Sequence, residues 1–424
     1  MVTATPTAFM PRVKWSWLWG SRKTDVAWTF MPFWAGLVLA IALYLTTSTG
    51  VMNQPPAWSL NLFGHPIHIA ALLLYVYSPL IDAPHLWATI ARTYTDREEW
   101  AQRRRLFLGS LGWFLIGPVV ILLPYVLRAT VGFPAGKEPS VWLLWTRFFE
   151  FYALFHIAKQ HWGFISLYKR KNADMADARE NAADALFFKT AIWLPYLAML
   201  SAPWYVDFDG QPFTFLSGAI GQHTLGWLLH AACNVLLVVL SAAYALFQYD
   251  QWRKGIARNG PKLAYIATVI GLYFITFSFN PLVATFWVVI TGFGHCVQYH
   301  RVVWAYGANK YAGPKTKEVD AVVALPTRIF ASPGLYIALG VVYGIVTLQG
   351  PHGLHIQQWV GHAFDGSGLH RLFAYLNQHD ALNLGTRLAG AFIGGTRLHH
   401  FYVDSKIWRV SKNAALAKNL NVAA

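Results

Sequence analysis

The sequence predicts an all-α, polytopic integral membrane protein, a helical bundle of about ten transmembrane helices. Hydrophobic residues make up 55% of the 424 residues and charged residues only 12%, a balance typical of membrane-spanning chains and not of soluble globular domains. Apolar segments alternate with short basic ones, and most are close to the roughly 20 residues that cross about 30 Å of hydrocarbon. The predicted spans are 27–47, 66–91, 106–127, 142–167, 187–207, 222–247, 263–280, 281–304, 328–348 and 384–410.

The distribution of positive residues supports this layout and orients it. With the N-terminus inside, the inner segments hold 27 Lys and Arg and the outer loops hold 3, as the positive-inside rule requires. Both termini are therefore predicted to be cytoplasmic, in a multi-pass protein of a bacterial inner membrane that contacts lipids throughout. The net charge of +15 is spread between apolar segments, which argues against nucleic acid as a partner.

The segments between the spans indicate a single transmembrane domain over residues 1–424. Residues 1–26 form a cytoplasmic N-terminal segment, 411–424 a cytoplasmic tail, and 350–383 an outer loop with amphipathic stretches suited to a membrane interface. The two cysteines, Cys233 and Cys296, lie inside apolar runs, so a disulfide framework is excluded.

Four clusters of ionisable residues interrupt the apolar segments just before a basic loop. They are Asp82/His85, His156/His161, His295/His300 and His399/His400/Asp404. Ionisable side chains inside membrane spans are costly and mark functional sites. All four clusters fall near the cytoplasmic ends of spans 2, 4, 8 and 10, whereas the other nine histidines fall in the outer half. This matched depth predicts a metal site near the cytoplasmic side, with these seven histidines and two aspartates as ligands.

Helical geometry refines the prediction. Asp82/His85 and His400/Asp404 are spaced three and four apart and share a helix face. His156/His161 and His295/His300 are five apart, or about 140° around the axis, so neither pair binds one ion from an undistorted helix. Two ions, or one ion with further hydrogen-bonded partners, are therefore predicted. Imidazole and carboxylate suit iron, and also zinc, copper or manganese.

Each of the four clusters, taken alone, could have a structural role instead of binding a metal. A single buried histidine is more often a hydrogen-bonded core group than a ligand, and Asp82 with His85 would also form a local hydrogen bond at a kink. The densest cluster, His399/His400/Asp404, would also suit a helix end at the membrane interface. Gln160 and Gln298, which lie within the two five-residue histidine pairs, are further candidates for a catalytic role.

The motifs resemble those of the histidine-rich integral-membrane non-haem iron enzymes of the desaturase and hydroxylase type. Those enzymes carry H-x(3–4)-H and H-x(2–3)-HH boxes around two irons at the cytoplasmic ends of their helices. His156/His161 and His295/His300 are similar to the first box, and His399/His400 to the HH of the second, although the run GTRLHH lacks the preceding histidine. A fainter similarity is to the membrane carotenoid-cleaving dioxygenases.

The resemblance implies an iron-dependent oxidoreductase or oxygenase that uses O2 to hydroxylate, desaturate or cleave a lipid-like substrate. Asp82 and Asp404 would be catalytic carboxylates, acting as ligands or orienting the imidazoles. Electrons would come from a separate cytoplasmic donor, ferredoxin-like, docked on the basic loops.

Two other functions stay open. A haem-binding electron carrier or quinol-linked protein would use histidines on facing helices, and His68 and His85, which are 17 residues apart on one span, would suit two haems. An ion- or proton-coupled transporter would use the polar clusters as its ion site, although such sites usually lie nearer the membrane midplane.

Overall fold

The computed structural model describes residues 13–47, 59–62, 65–68, 77–134, 138–202, 223–278, 287–311, 324–347 and 384–422. These residues are mostly helical, and several of the helices are long and apolar, which confirms an α-helical membrane protein. The outer loop predicted over 350–383 lies outside the described residues.

The described residues form a succession of helices with four short strands among them. The helices are α1 (Arg22–Asp25), α2 (Met31–Thr47), α3 (Ala83–Thr93), α4 (Arg97–Ser110), α5 (Trp113–Val131), α6 (Glu138–Lys171), α7 (Ala178–Ala191), α8 (Leu194–Ser201), α9 (His223–Arg253), α10 (Gly260–Ser278), α11 (Trp287–Lys310), α12 (Ala324–Ala331), α13 (Pro333–Thr347), α14 (Leu384–Ile407) and α15 (Ala414–Asn419). Short π-helical turns (Val26–Phe30 and Ser78–Asp82) precede α2 and α3, and 3-10 turns (Asp174–Ala176 and Val410–Lys412) precede α7 and α15. The strands are β1 (Val13–Lys14), β2 (Ser59–Leu62), β3 (His65–His68) and β4 (Arg258–Asn259).

Contacts divide the chain into two compact units. Unit 1 comprises Met1–Ala70, Ile157–Gln298 and Asn421–Ala424, and unit 2 comprises Ala71–His156 and Tyr299–Leu420. The predicted single domain over 1–424 stays a prediction.

Side-chain caps explain where several helices begin and end. The Asp177 carboxylate accepts a hydrogen bond from the backbone N–H of Glu180, and the Asp96 carboxylate accepts from those of Glu98 and Glu99, so α7 and α4 begin with satisfied donors. Gly132 ends α5 in the left-handed conformation (φ 71°), which favours glycine.

Five helices or helix pairs among the described residues are long and apolar enough to cross a membrane. They are Arg22–Ala42, Arg97–Val131, Ala178–Ser201, Leu225–Arg253 and Gly260–Ser278. A sixth is the pair Leu325–Ala331 and Pro333–Ile345, bent by 107°, as in a broken span or a re-entrant loop. The ten-span count and the cytoplasmic placement of both termini stay predictions.

The three helices that carry most of the predicted ligands are long but less apolar. Helix α6 has 34 residues and α11 and α14 have 24 each, which correspond to about 51 Å and 36 Å of rise. None meets the same apolarity requirement among the described residues, because polar and ionisable side chains interrupt each of them.

The structure differs from the sequence prediction at the start of span 2. Residues 66–68 were expected to be helical, but they lie in β3, where Pro66 is opposite Asn61 in an antiparallel hairpin with β2. Both strands of a two-stranded hairpin are edge strands, where a proline without an N–H donor is tolerated. The π-helical turn Ser78–Asp82 in this span leads directly into α3.

Within unit 2, glycines let α5 and α14 approach closely. A Cβ at Gly117 would lie 2.6 Å from the carbonyl oxygen of Ala391, and one at Gly395 would clash with the backbone of Phe114. Small residues at such contacts are typical of packed membrane helices. This packing supports the expectation that the glycine-rich last segment is buried among other helices, and it positions His399, His400 and Asp404.

Candidate metal centre

A buried cluster of imidazole and carboxylate groups forms within unit 2, where four helices meet. Helix α3 contributes His85 and Thr89, the first part of α6 contributes His156, the second part of α11 contributes Tyr299, and α14 contributes His400 and Asp404.

Three of these residues could hold a metal ion together. Ligand atoms of His156, His400 and Asp404 all lie within 4.8 Å of one another, and the two imidazole rings are 4.9 Å apart. The three residues are only 7%, 1% and 6% exposed. Because metal–ligand bonds to nitrogen and oxygen are about 2.1 Å long, donors on opposite sides of one ion lie about 4.2 Å apart. The group therefore needs only a small closure to bind one ion.

His85 is a fourth candidate ligand beside this group. Its ring lies 4.8 Å from that of His400, and its Nδ1 is hydrogen-bonded to the backbone carbonyl of Asp82. A carbonyl only accepts, so Nδ1 carries the proton and Nε2 carries the lone pair. A ligating histidine usually has this arrangement, in which a backbone hydrogen bond fixes the tautomer.

The Asp404 carboxylate is oriented by two hydroxyl groups. Its Oδ1 accepts hydrogen bonds from the Tyr299 phenol at 2.7 Å and from the Thr89 hydroxyl at 2.9 Å. With Oδ1 engaged in this way, Oδ2 is the oxygen suited to a metal. Hydrogen-bonded carboxylates of this kind are held in one orientation, which favours metal binding.

Thr89 also fixes the tautomer of His400. Its Oγ1 lies 2.6 Å from Nδ1 of His400 and 2.9 Å from Asp404 Oδ1. A carboxylate is an acceptor only, so the single proton of the threonine hydroxyl goes to Asp404, and Nδ1 of His400 donates to Thr89. The lone pair of His400 is then on Nε2, where it could bind a metal.

Asp82, whose role as a ligand stays a prediction, forms an ion pair. Its carboxylate contacts the Arg397 guanidinium of α14, and it lies 3.8 Å from Nδ1 of His85. Arg397 precedes His400 by one helical turn, so the pair also ties the π-helical turn before α3 to α14. Asp82 therefore positions His85 and neutralises a half-buried arginine.

The two remaining histidines of unit 2 hydrogen-bond to tyrosines. Nδ1 of His300 lies 2.9 Å from the Tyr336 hydroxyl, and Nε2 of His399 lies 2.7 Å from the Tyr94 hydroxyl. Neither belongs to the group of His156, His400 and Asp404. The direction of His399 follows from its position, about 100° around the helix from His400.

In unit 1, His161 lies between two buried tyrosines. Its Nδ1 is 2.9 Å from the Tyr265 hydroxyl and its Nε2 is 3.3 Å from the Tyr273 hydroxyl. The Tyr265 hydroxyl donates to Gln298, so it accepts from Nδ1, and Nε2 accepts from Tyr273. Both ring nitrogens are hydrogen-bonded, as the alternative structural role for a buried histidine requires.

The two glutamines predicted for a catalytic role, Gln160 and Gln298, hydrogen-bond to the backbone within unit 1. The Gln160 amide donates to the carbonyl oxygen of His295 at 2.9 Å, and the Gln298 amide donates to that of Thr29 at 2.7 Å. His295 itself is buried, with 2% of its surface exposed. Each glutamine therefore fixes the position of another segment of unit 1.

Several residues near the cluster were not singled out from the sequence. Thr89 and Tyr299 orient the ligands, and the indole N–H of Trp408 donates to the Tyr299 hydroxyl at 3.2 Å. The Arg92 guanidinium lies 3.8 Å from the centre of the Trp408 ring. Thr89 lies four residues after His85, so helical spacing alone could have indicated it.

An ion pair in unit 2 fixes the start of α4. Asp96 Oδ2 accepts from Lys310 at 2.7 Å and also from the Tyr311 hydroxyl. Burial by itself raises the pKa of the Asp96 carboxyl, but these hydrogen bonds more than offset it and hold the pKa below its usual value. The same contacts, working against burial, raise the pKa of Lys310.

Fold and site together define a helical membrane protein with a buried histidine–carboxylate cluster. Comparison with models of known protein families, with curated proteins and with solved structures finds no match. The function is therefore inferred from the chemistry of the site.

Proposed function

We propose that unit 2 binds a transition-metal ion through His156, His400 and Asp404, with His85 as a fourth ligand, and that the protein is a membrane-embedded metal-dependent oxygenase or oxidoreductase. The observation that carries the proposal is the buried group of three ligand atoms within 4.8 Å of one another. Its carboxylate and one imidazole are oriented by Thr89, as in established metal sites.

The donor chemistry favours iron. Neutral imidazole and carboxylate together suit non-haem iron, and zinc, copper or manganese are the alternatives. The unit 2 donors suffice for one ion, and the second ion implied by the resemblance stays a prediction. A bound iron would supply the redox chemistry needed to use O2.

The surrounding residues favour an apolar substrate. The ring of Phe401 stacks on His156 at 4.5 Å and is buried, so it helps to exclude water from this side of the cluster. Helix α14, which carries two of the candidate ligands, packs closely on α5, and α5 belongs to a segment apolar enough to cross a membrane, so a lipid-like molecule could reach the cluster from the bilayer. We propose hydroxylation, desaturation or oxidative cleavage of such a substrate, with electrons from a separate cytoplasmic carrier.

Metal analysis with an optical spectrum of the detergent-purified protein tests the proposal. We expect about one iron or more per chain, no Soret band, and loss of the metal in His400→Gln and Asp404→Asn. His399→Gln is the matched control, because this neighbouring histidine is also buried but contacts Tyr94.

Two results would overturn the proposal. A folded protein with less than one transition metal per chain would exclude a metal centre. A Soret band that disappears in the histidine variants would assign the site to haem and favour the electron carrier.

A further inference from the structure

A positively charged surface lies on α4 and the C-terminal end of α14, two segments of unit 2 that contact each other. It consists of Arg103, Arg104, Arg105, Lys406 and Arg409, and we call it the basic surface. Nη1 of Arg103 donates to the carbonyl oxygen of Lys406 at 3.4 Å, which joins α4 to the end of α14. Arg104, Arg105 and Arg409 are exposed.

The nearest acidic groups leave this surface positive. Glu99 is buried and is paired with Arg103 at 3.3 Å, while Glu98 is paired with Lys310 at 2.9 Å. Arg104, Arg105 and Arg409 thus contribute most of the charge that a partner would meet.

Trp408 connects this surface to the candidate metal centre. It is half-buried and directly precedes the exposed Arg409. Its indole N–H donates to the Tyr299 hydroxyl at 3.2 Å, and that hydroxyl donates to Asp404 at 2.7 Å. The chain of contacts from the surface to a candidate ligand therefore consists of two hydrogen bonds and two aromatic side chains.

Arg92 fixes the position of the indole. Its guanidinium is fully buried, lies 3.8 Å from the Trp408 ring centre and donates to the carbonyl oxygen of Ile407 at 3.1 Å. A cation over an aromatic face stabilises the neutral ring and disfavours its oxidised form. Trp408 is thus suited to conduct an electron without itself remaining oxidised.

We propose that an acidic one-electron carrier docks on the basic surface, and that its electrons reach the metal centre through Trp408, Tyr299 and Asp404. This inference rests on the proposed function and adds where electrons enter and what charge the donor bears. In each step the carrier loses one electron and the metal ion gains one, while Trp408 and Tyr299 are left unchanged and keep their protons.

The route favours a redox carrier over an anionic lipid as the occupant of the surface. A lipid headgroup would need only the exposed cations. Electron transfer slows steeply with distance, so it needs a donor site joined to the metal by a short, packed path. The hydrogen bonds of Trp408 and Tyr299 provide such a path from this surface.

The docking part is tested by reducing the metal-loaded protein with small reductants of opposite charge. Dithionite is the anion and reduced methyl viologen the cation, and metal reduction is followed by stopped-flow absorbance. We expect dithionite to reduce the wild type faster at low salt than at high salt. The double substitution Arg105→Glu/Arg409→Glu should lower the low-salt rate about tenfold. Arg128→Glu is the matched control, because this exposed arginine lies 23 residues beyond Arg105 at the other end of α5.

The conduction part is tested by Trp408→Phe. This variant keeps a ring beneath Arg92 but removes the N–H donor, so we expect a several-fold slower reduction by both reagents at unchanged metal content. Tyr306→Phe is the control, since its ring lies 6.1 Å from that of Trp408 and its hydroxyl bonds to Glu99 instead.

The outcomes separate this inference from the proposed function. A protein without metal overturns both. A metal-loaded protein in which Trp408→Phe and the charge variants are reduced at wild-type rates overturns the inference alone. If those charge variants also lose copurifying anionic lipid, the basic surface is a lipid site.

Discussion

Thr89→Val is the most informative single substitution at the candidate metal centre. Three groups from two other helices converge on its hydroxyl: His400 Nδ1 at 2.6 Å, the Tyr299 hydroxyl at 2.7 Å and Asp404 Oδ1 at 2.9 Å. Valine keeps the branched shape and removes the hydrogen bond donated to Asp404 and the one accepted from His400. Nδ1–H of His400 then loses its acceptor, and Asp404 loses one of the two donors that orient it.

The expected effect on metal affinity is large. Removing hydrogen bonds that orient metal ligands typically weakens binding about 10- to 100-fold, which corresponds to about 1.4–2.7 kcal/mol. The buried N–H left without an acceptor also destabilises the folded protein by about 1–3 kcal/mol. We therefore expect Thr89→Val to release its metal to a competing chelator at a lower chelator concentration than the wild type.

Thr93→Val is the control on the same helix. Thr93 is also buried, but its hydroxyl donates only to the backbone carbonyl of Thr89, at 2.6 Å. The dissociation constant is measured by chelator competition for both variants. Wild-type affinity in Thr89→Val, or an equal loss in Thr93→Val, would refute the assignment of Thr89 as a residue that orients the ligands.

Two further predictions concern charged groups outside the centre. Asp96→Asn should lower the stability of unit 2 by about 2 kcal/mol, because the hydrogen bond from Lys310 loses its charged acceptor. Since the pKa of Asp96 is lowered in the folded protein, the carboxylate contributes to stability above the ordinary aspartate pKa, and this contribution is lost as the pH falls through the lowered value. Thermal unfolding of the variant should therefore depend less on acidic pH than that of the wild type. An unchanged pH dependence would contradict this role. Asp184→Asn should destabilise unit 1 by about 3–5 kcal/mol, since it leaves the buried Lys262 with less compensation. Asp250→Asn, which removes an exposed partner, should leave the melting temperature unchanged, and equal shifts in both variants would refute the argument.

Composition predicted the class of fold, whereas local backbone structure was harder to predict. The excess of apolar residues between basic loops is enough to indicate membrane helices. The same pattern did not reveal the strand at His65–His68 or the 107° bend between α12 and α13. Both contain prolines, Pro66 and Pro333, whose local effect a hydropathy average does not register.

For the site, periodicity predicted which ligands share a helix face but not their partners. His400 and Asp404, four residues apart, do lie in one cluster. The sequence could not show that the hydroxyls of Thr89 and Tyr299 would reach them, because those contacts join residues more than 100 positions apart. It also could not distinguish His156, beside His400, from His161, between two tyrosines. That distinction depends on which face of α6 meets which neighbour.

The buried charges of unit 1 constrain the order in which the chain assembles. Glu180 and Asp184 lie at the start of a segment that is apolar enough to cross a membrane, and their partners Arg258 and Lys262 are synthesised 78 residues later. Until α10 emerges from the ribosome, Lys169 is the cation of this network that can compensate them. The start of α7 therefore gains its full set of buried ion pairs only after Arg258 and Lys262 have been made, so its final packing depends on the chain that follows α9.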